Sequence, residues 1–245
     1  MYLCCCLPFL FLWQDLRKPG PGMKNKKSKI IVLCGIVIIF IACILAVVLN
    51  TGIIGGTSDK RLPDLYDGTV EKYVSSVDKD NDGIDDQTDI LKGALDYIKT
   101  KPQYKSKYYN GGYPDDGYGV CTDVVADALK EAGYDLMNEV NEDIKENRQN
   151  YDIEEPDENI DFRRVKNLKV YFAQNAISLT TDVKDFEEWQ GGDIVIFKSH
   201  IGIVSDRRNK NGVPYVIHHN GRSQKSYEED ILEKRSDIVG HYRIS

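Results

Sequence analysis

Cys121 lies in a stretch that would suit a nucleophile. The chain has six cysteines, and the other five, all before residue 50, are Cys4, Cys5, Cys6, Cys34 and Cys43. The stretch CTDVVADALKEAG has an apolar stripe at helical spacing and closes at a glycine, which predicts a helix beginning at Cys121. A helix N-terminus lowers the pKa of a thiol, and the thiolate is the reactive form. The alternative is a small buried side chain, the commoner role of a free cysteine.

Two histidines later in the chain could meet this thiol. His200 opens the apolar run HIGIV and His218 closes the run YVI, in two strands of a predicted hairpin. Neighbouring strands bring facing side chains together, so the two imidazoles could lie side by side. A cysteine, a histidine base and a second polar group that orients the base form an arrangement for nucleophilic catalysis. The alternative for each histidine is a strand-edge residue hydrogen-bonded to the backbone.

The elements that must hold these residues are helices first and strands second. Apolar spacing predicts helices over residues 135–148 and 164–174, and a shorter one over 66–77. Runs rich in β-branched residues then predict strands at 191–197, 200–206 and 213–219, with a further strand in GHYRI. Helices followed by an antiparallel meander indicate an α+β fold, with the helices packed on one side of the sheet.

A second chemical feature is the acidic segment DKDNDGIDDQTD at residues 78–89. Its spacing matches a calcium loop, in which alternate carboxylates and one backbone carbonyl converge on the ion and a glycine allows the bend. The six ligand positions are Asp78, Asp80, Asp82, Ile84, Asp86 and Asp89. The segment resembles an EF-hand, apart from Asp at position twelve and Asp85 at position eight, and also the loops of dockerins and thrombospondin repeats. We expect a structural calcium; the alternative is a solvated acidic turn.

The N-terminal region predicts attachment to a membrane. Residues 30–49 are an uncharged apolar run of twenty residues, long enough to span a hydrocarbon core of roughly 30 Å. The Lys-rich stretch at 24–29 favours residues 1–29 in the cytoplasm and the remainder of the chain outside the cell. A cleaved signal peptide is the alternative. Residues 1–22 suit neither role, and we expect translation to start at Met23.

The exterior part of the chain is acidic. Beyond residue 49 it carries 26 Lys and Arg against 38 Asp and Glu, which excludes electrostatic binding of nucleic acid. Residues 50–65 have the composition of a linker. Residues 66–100 predict a helix-loop-helix around the acidic segment, and residues 101–245 predict one catalytic domain.

The serial order of the motifs resembles a known group of enzymes. GVCTDVV, GDIVIF, HIGIVSD and IHH follow one another as in the NlpC-type cell-wall peptidases, a papain-like superfamily. With GGYP, NIDFRRV and GHYR added, residues 104–245 look more closely like the bacterial domain-of-unknown-function family 1287. The resemblance implies a papain-like fold without a catalytic cofactor. It implies Cys121 as nucleophile, His200 as general base and His218 as third residue, with His219 and Asn220 as alternatives for the third role.

The sequence therefore predicts a single-pass membrane protein whose extracellular cysteine hydrolase domain cleaves an amide bond, with peptidoglycan stem peptides as substrate. We expect the backbone N–H of Cys121 to bind the oxyanion. Arg163 and Arg164 could bind a substrate carboxylate, and a structural ion pair is the alternative. Two other functions stay open. One is a non-catalytic wall-binding or calcium-dependent adhesion module, and the other is a zinc hydrolase that uses the cysteine and both histidines as ligands.

Overall fold

The computed structural model describes residues 26–50 and 56–244, which belong to two compact units, residues 1–50 and 51–245. In the first unit, Lys26–Asn50 form helix α1, with side chains described over residues 33–46. Within this described part of the chain, no helix is both long and apolar enough to cross a membrane. The predicted span at 30–49 extends past the described side chains at both ends, and the predicted start at Met23 lies outside the described residues.

Helices of the second unit pack as one layer. They are α2 (Asp86–Lys99), α3 (Cys121–Glu131), α4 (Leu136–Glu146) and α5 (Val165–Asn175), with 3₁₀ turns at Arg148–Asn150, Asp161–Arg163 and Leu232–Lys234. The predictions for 135–148 and 164–174 are confirmed. Helices α2 and α3 lie in close contact, because a Cβ placed on Gly93 would come within 2.8 Å of the Cα of Ala128. Glycine at this position lets the two backbones approach.

The strands of the second unit form an antiparallel sheet, so the α+β prediction is confirmed. Its strands are β3 (Ile177–Ser178), β4 (Ile194–Phe197), β5 (His200–Arg208), β6 (Pro214–Ile217), β7 (Glu228–Glu229) and β8 (Ile238–Arg243). They lie in the order β3-β8-β4-β5-β6-β7, and each neighbouring pair is antiparallel. A separate parallel pair, β1 (Gln103–Tyr104) and β2 (Tyr118–Gly119), encloses the loop that leads to Cys121.

The central strands are buried on both faces. Alternate residues of a strand point to opposite faces, so each face has its own apolar core. The helical layer packs on the face that carries Ile194, Ile196, Ile201, Ile203 and Ile217. The other face carries Val195, Phe197, Val204 and Val216, packed with Trp189 and Leu232. The helix that begins at Cys121 is therefore fixed against β5 by a continuous core.

The prediction of a helix over residues 66–77 is wrong. The segment has no regular secondary structure, and its groups bond to distant residues instead of to one another. Tyr66 packs edge-on against Phe186 with the ring centroids 5.5 Å apart. The N–H of Tyr73 donates to Oε1 of Gln190 over 3.2 Å. These long-range contacts override a weak local pattern, and the acidic loop is followed by helix α2 without a helix before it.

The predicted linker at 50–65 is not a free linker over its described part, residues 56–65. Ser58 forms a bridge with Ser226, and the N–H of Leu65 donates to the carbonyl of Arg208 over 2.8 Å. The Arg61 guanidinium lies 2.9 Å from Oε1 of Glu228, whose side chain is fully buried. The Gly and Ser content of the segment suggested flexibility, whereas one buried ion pair and backbone bonding hold it on the domain.

Candidate active site

Cys121 is the first residue of α3, as its sequence predicts. The preceding residue, Val120, is extended, and its N–H donates to Oδ2 of Asp123 over 2.8 Å. This bond satisfies one of the backbone donors that a helix start leaves free. The side chain of Cys121 is half-buried and packs against the helix-side core. The local sequence therefore fixes the backbone on both sides of the thiol.

A buried ion pair holds this helix start in place. Nε and Nη2 of Arg163 donate to the two carboxylate oxygens of Asp123 over 2.7 and 2.9 Å. Nη1 of Arg163 donates to the carbonyl of Lys107 over 2.7 Å, so the pair also anchors the loop before β2. Arg163 is thus a structural ion-pair residue and not a free substrate-binding cation. Sequence reasoning missed the role of Asp123, because an Asp in a first helical turn is common for electrostatic reasons alone.

His200 and His218 meet as predicted. Nε2 of His200 lies 2.8 Å from Nδ1 of His218, and Nε2 of His218 lies 3.2 Å from Oε2 of Glu229. Gly202 makes this possible, since a Cβ there would come within 3.1 Å of the Cβ of His218. Both histidines are buried, while Glu229 is partly exposed. Glu229 was not predicted, because it belongs to an acidic run with no strand-like alternation.

The row formed by Glu229, His218 and His200 favours one tautomer of each ring. A carboxylate only accepts, so the Glu229 oxygen 3.2 Å away favours a proton on Nε2 of His218. The amide of Gln224, 3.4 Å from the same nitrogen, is instead directed at the carbonyls of His218 and Ser226. Nδ1 of a neutral His218 then accepts from Nε2–H of His200, which leaves the lone pair on Nδ1 of His200. The row leaves that nitrogen able to accept a proton.

The thiol lies at the same end of strand β5. The backbone N–H of Ile201, next to His200, donates a hydrogen bond to Cys121. Within residues 56–244, no hydrogen bond joins the thiol to the His200 ring, and the described link between them is this bond to the neighbouring Ile201. A hydrogen bond between thiol and imidazole often forms only when substrate binds.

Burial sets the charge state of both groups. It raises the pKa of the Cys121 thiol to about 11, an effect that backbone hydrogen bonds from Ile201 and Thr122 oppose and the Asp123 charge reinforces. Burial, together with the neighbouring His218 and Arg235, lowers the pKa of His200 to about 3. The expectation that the helix start would lower the thiol pKa is therefore wrong, because loss of solvation outweighs the helix terminus. The resting pair is a neutral thiol and a neutral imidazole.

The two alternatives for the third role do not join the row. His219 is fully buried between the rings of Tyr104 and Tyr227, with centroids 5.3 and 5.1 Å away. Neither of its ring nitrogens has a hydrogen-bond partner within the described chain, and burial lowers its pKa to about 4. Asn220 is exposed, and its backbone N–H donates to Oε1 of Gln224 over 2.6 Å. His218 is thus the one of the three that is hydrogen-bonded to His200.

Tyr97 is a polar group near the cysteine that sequence reasoning missed. Its hydroxyl is buried against Gly119 and has no hydrogen-bond partner within the described residues. Burial raises its pKa far above the ordinary value, and the charges of Asp123 and Cys121 add to the effect. Tyr97 lies on the apolar stripe of α2, and the sequence pattern there indicates only a packing role for a tyrosine. Its hydroxyl is a neutral donor close to the thiol.

A second histidine and carboxylate pair, away from the thiol, is structural. Asp193, of the GGDIVIF motif, accepts from Nε2 of His241 over 2.9 Å and from Nε of Arg243 over 2.7 Å. Burial alone would raise the pKa of Asp193, but these two partners hold it below its usual range. The ring of His241 stacks on Trp189 with centroids 3.7 Å apart. The GD and GHYR motifs thus form one buried hydrogen-bond network that joins β4 to β8.

The predicted calcium ligands are only partly brought together. The carboxylates of Asp78, Asp80 and Asp82 offer oxygens within 4.8 Å of one another. Asp89 lies buried at the first turn of α2, where burial and the charges of Asp82 and Asp80 raise its pKa to about 6. Ile84 follows Gly83, whose φ of +94° gives the sharp bend. Asp86 departs from the prediction, because its carboxylate bonds elsewhere.

A cavity of about 1000 Å³ lies apart from the cysteine. It is lined by Asn141 and Lys145 of α4 and by the acidic segment at 152–161, together with Arg164 and Lys166. None of Cys121, His200 and His218 contributes to its lining.

Comparisons with known proteins agree on one family. The family described as domain of unknown function (DUF1287) matches residues 91–244. A protein of Escherichia coli strain K12, described as uncharacterized protein YijF, is 39% identical over 151 residues, which cover 58% of this chain and 72% of that protein. No solved structure matches the chain. The acidic loop at 78–89 lies outside the range that the family matches.

Proposed function

The chain belongs to the DUF1287 family, and we propose that it is a cysteine hydrolase that cleaves an amide bond. The observation that carries the proposal is the row in which Glu229 lies 3.2 Å from His218 and His218 is hydrogen-bonded to His200, next to the strand residue that bonds Cys121. Such a row selects one nitrogen of His200 as the base. A histidine that served only in packing would not need this selection.

The proposed reaction is acyl transfer through a thioester. Sulfur of Cys121 attacks the substrate carbonyl while its proton passes to Nδ1 of His200. The leaving amine takes that proton as the carbon–nitrogen bond breaks, and the acyl group stays on sulfur. Water then attacks the thioester with His200 as base, which releases the acid and restores the thiol. The backbone N–H of Cys121 binds the oxyanion.

The neutral resting pair decides how the proton moves. A thiolate–imidazolium pair would need a thiol pKa below that of the imidazole, and burial moves both values the other way. Proton transfer therefore accompanies the attack on carbonyl carbon. The positive charge that His200 then gains is stabilised through His218 by the carboxylate of Glu229.

We assign the substrate and location from the sequence. The order of the cysteine, Gly-Asp and histidine motifs is similar to that of the NlpC-type, papain-like peptidases, which supports stem peptides of peptidoglycan as substrate. The apolar run at 30–49 after a Lys-rich stretch supports a single-pass membrane anchor with residues 56–245 outside the cell. The zinc alternative has less support, because the facing nitrogens of His200 and His218 are 2.8 Å apart and do not converge on one ion.

Muropeptide analysis tests the substrate. The purified full-length chain is incubated with peptidoglycan, and the soluble products are identified by mass spectrometry. We expect shortened stem peptides with the wild type and none with Cys121→Ala. Identical profiles for the two proteins would contradict a peptidoglycan substrate. If Cys121→Ala also bound peptidoglycan as tightly as the wild type, a wall-binding module would be the better description.

Adjacent histidines offer a matched test of the third residue. His218→Ala is expected to lower kcat/KM by about 10²-fold or more, because His200 loses the partner that fixes its tautomer. His219→Phe is expected to keep kcat/KM within about twofold, since its ring nitrogens have no partner in the described chain and phenylalanine preserves the ring contacts. Steady-state kinetics on one amide substrate compare the two. Equal losses would overturn the assignment of His218.

The pH dependence of alkylation tests the neutral pair. With a thiol pKa of about 11, roughly one molecule in ten thousand carries a thiolate at pH 7. The rate of Cys121 alkylation by iodoacetamide is therefore expected to rise about tenfold per pH unit from pH 6 to 9. Intact-mass spectrometry at fixed times gives the rate, with Cys121→Ser as the blank. A flat rate between pH 5 and 8 would instead indicate a thiolate–imidazolium pair.

A further inference from the structure

The acidic loop at 78–89 is folded around its own carboxylates. Backbone N–H groups of Asp82 and Gly83 donate to the carboxylate of Asp78 over 3.2 and 3.0 Å, and that of Ile84 donates to Asp82 over 2.8 Å. Asn81 and Gly83 have positive φ values of 62° and 94°, which turn the chain back on itself. Three carboxylates are therefore held with oxygens within 4.8 Å despite their mutual repulsion.

Asp89 supplies an independent sign of a missing ligand. Its side chain is fully buried, and neither carboxylate oxygen has a hydrogen-bond partner within the described residues. A buried carboxylate without hydrogen bonds is costly, so such a group normally has a cation or a donor beside it. Asp89 lies in the first turn of α2, directly after the loop, and the carboxylate charge that acts on it most strongly is that of Asp82.

Lysines beside the loop form their described bonds with other groups, although the charge of Lys92 also acts on Asp89. Nζ of Lys79 bonds to Glu139 over 2.8 Å, and Nζ of Lys72 donates to the hydroxyl of Thr88 over 3.0 Å. Nζ of Lys92, although one turn from Asp89, forms its ion pair with Glu131. The described cations nearby are thus engaged with other groups, and the concentrated negative charge calls for a bound metal ion.

Asp86 serves the loop in another way. Its Oδ1 accepts from the N–H of Lys79 over 2.8 Å, and its Oδ2 accepts from the hydroxyl of Tyr134. Both oxygens are used, so the carboxylate fastens the loop to the end of α3 and is not free for an ion. This corrects the sequence assignment, in which position nine of the loop is a ligand position.

We propose that residues 78–89 bind one calcium ion through the carboxylates of Asp78, Asp80, Asp82 and Asp89, with the backbone carbonyl of Ile84 as a further ligand. An all-oxygen ligand set suits Ca²⁺, which accepts irregular coordination, whereas Mg²⁺ demands a tighter octahedron and keeps its waters. The loop packs against the turn that follows α3, because a Cβ on Gly133 would come within 2.9 Å of the Cβ of Asp80. Calcium therefore stabilises the unit that carries Cys121.

Calorimetric titration and thermal unfolding of the full-length chain test this site. We expect one Ca²⁺ to bind with a Kd between about 10⁻⁶ and 10⁻³ M and to raise Tm, and Mg²⁺ to bind at least about tenfold more weakly. No heat of binding and no change in Tm at about 10 mM CaCl₂ would overturn the proposal, because that concentration exceeds the weakest expected Kd.

Substitutions at Asp86 and Asp89 distinguish a structural carboxylate from a calcium ligand. Asp89→Asn is expected to raise Tm in calcium-free buffer, because it removes a buried charge, and to weaken calcium binding by about tenfold or more. Asp86→Asn is expected to lower Tm equally with and without calcium and to leave the affinity within about threefold. Asp80→Asn, at an exposed position, should weaken binding without a folding defect. Equal calcium affinity in Asp89→Asn, Asp80→Asn and the wild type would refute the ligand set.

Discussion

Replacing His200 by glutamine is expected to lower kcat/KM for amide cleavage by about 10³-fold or more. Glutamine can keep a hydrogen bond to His218 but offers no nitrogen that takes up a proton at neutral pH. The thiol would then have to ionise unaided, and burial holds its pKa at about 11. Loss of the base should therefore slow the attack on the carbonyl and leave substrate binding nearly unchanged.

Steady-state kinetics give this comparison, with kcat and KM separated. The expected pattern is a fall in kcat at constant KM, together with a Tm within a few degrees of the wild type, since His200 is neutral in the fold. Cys121→Ala sets the floor for residual activity. A His200→Gln variant that retained more than about a tenth of the wild-type kcat would rule out His200 as the general base.

Replacing Arg163 by methionine is expected to lower the free energy of unfolding by about 3–5 kcal/mol. The carboxylate of Asp123 would stay buried with only the Val120 N–H as a described hydrogen-bond donor, and the loop carbonyl of Lys107 would lose its donor. Because this carboxylate is two residues from Cys121, the variant should also lose activity at temperatures where it remains folded. Urea unfolding followed by far-ultraviolet circular dichroism measures the change.

A second substitution separates charge burial from simple packing loss. Adding Asp123→Asn to Arg163→Met removes the unpaired charge while an acceptor for Val120 remains, so part of the lost stability should return. Lys99→Met, which breaks an exposed pair with Asp96, should change the free energy of unfolding by no more than about 0.5 kcal/mol. If Arg163→Met were as mild as Lys99→Met, the buried pair would not be what holds the helix start.

The sequence predicts the elements around Cys121, His200 and His218 well because each of them has a local cause. The helix of Cys121 has an apolar stripe and a glycine at its end, and β5 and β6 are apolar runs joined by a short connection. The pairing of β5 with β6 then brings His200 and His218 together, because side chains two residues apart along a strand lie on the same face of the sheet. The contact between the two rings also requires a residue without a side chain at position 202. The sequence shows this residue as a glycine between apolar residues.

The structural features that local sequence patterns do not predict depend on contacts with residues far away in the chain. Residues 66–77 carry apolar side chains at helical spacing, yet they form no regular secondary structure and contact Phe186 and Gln190 instead. Glu229 and Arg163 reach the site from far along the chain, and neither lies in a periodic stretch. The raised pKa of Cys121 follows from tertiary burial, which no local feature of the helix start reveals.

Trapping the acyl-enzyme tests the nucleophilic role of Cys121 most directly. The full-length chain is mixed with an amide substrate, the reaction is quenched in acid within one turnover, and the protein is analysed by intact-mass and peptide mass spectrometry. The account predicts a mass gain equal to the acyl half of the substrate, on the peptide that contains Cys121, in the wild type and not in Cys121→Ala. Substrate cleavage without any adduct on that peptide, or cleavage that persists in Cys121→Ala, would contradict it.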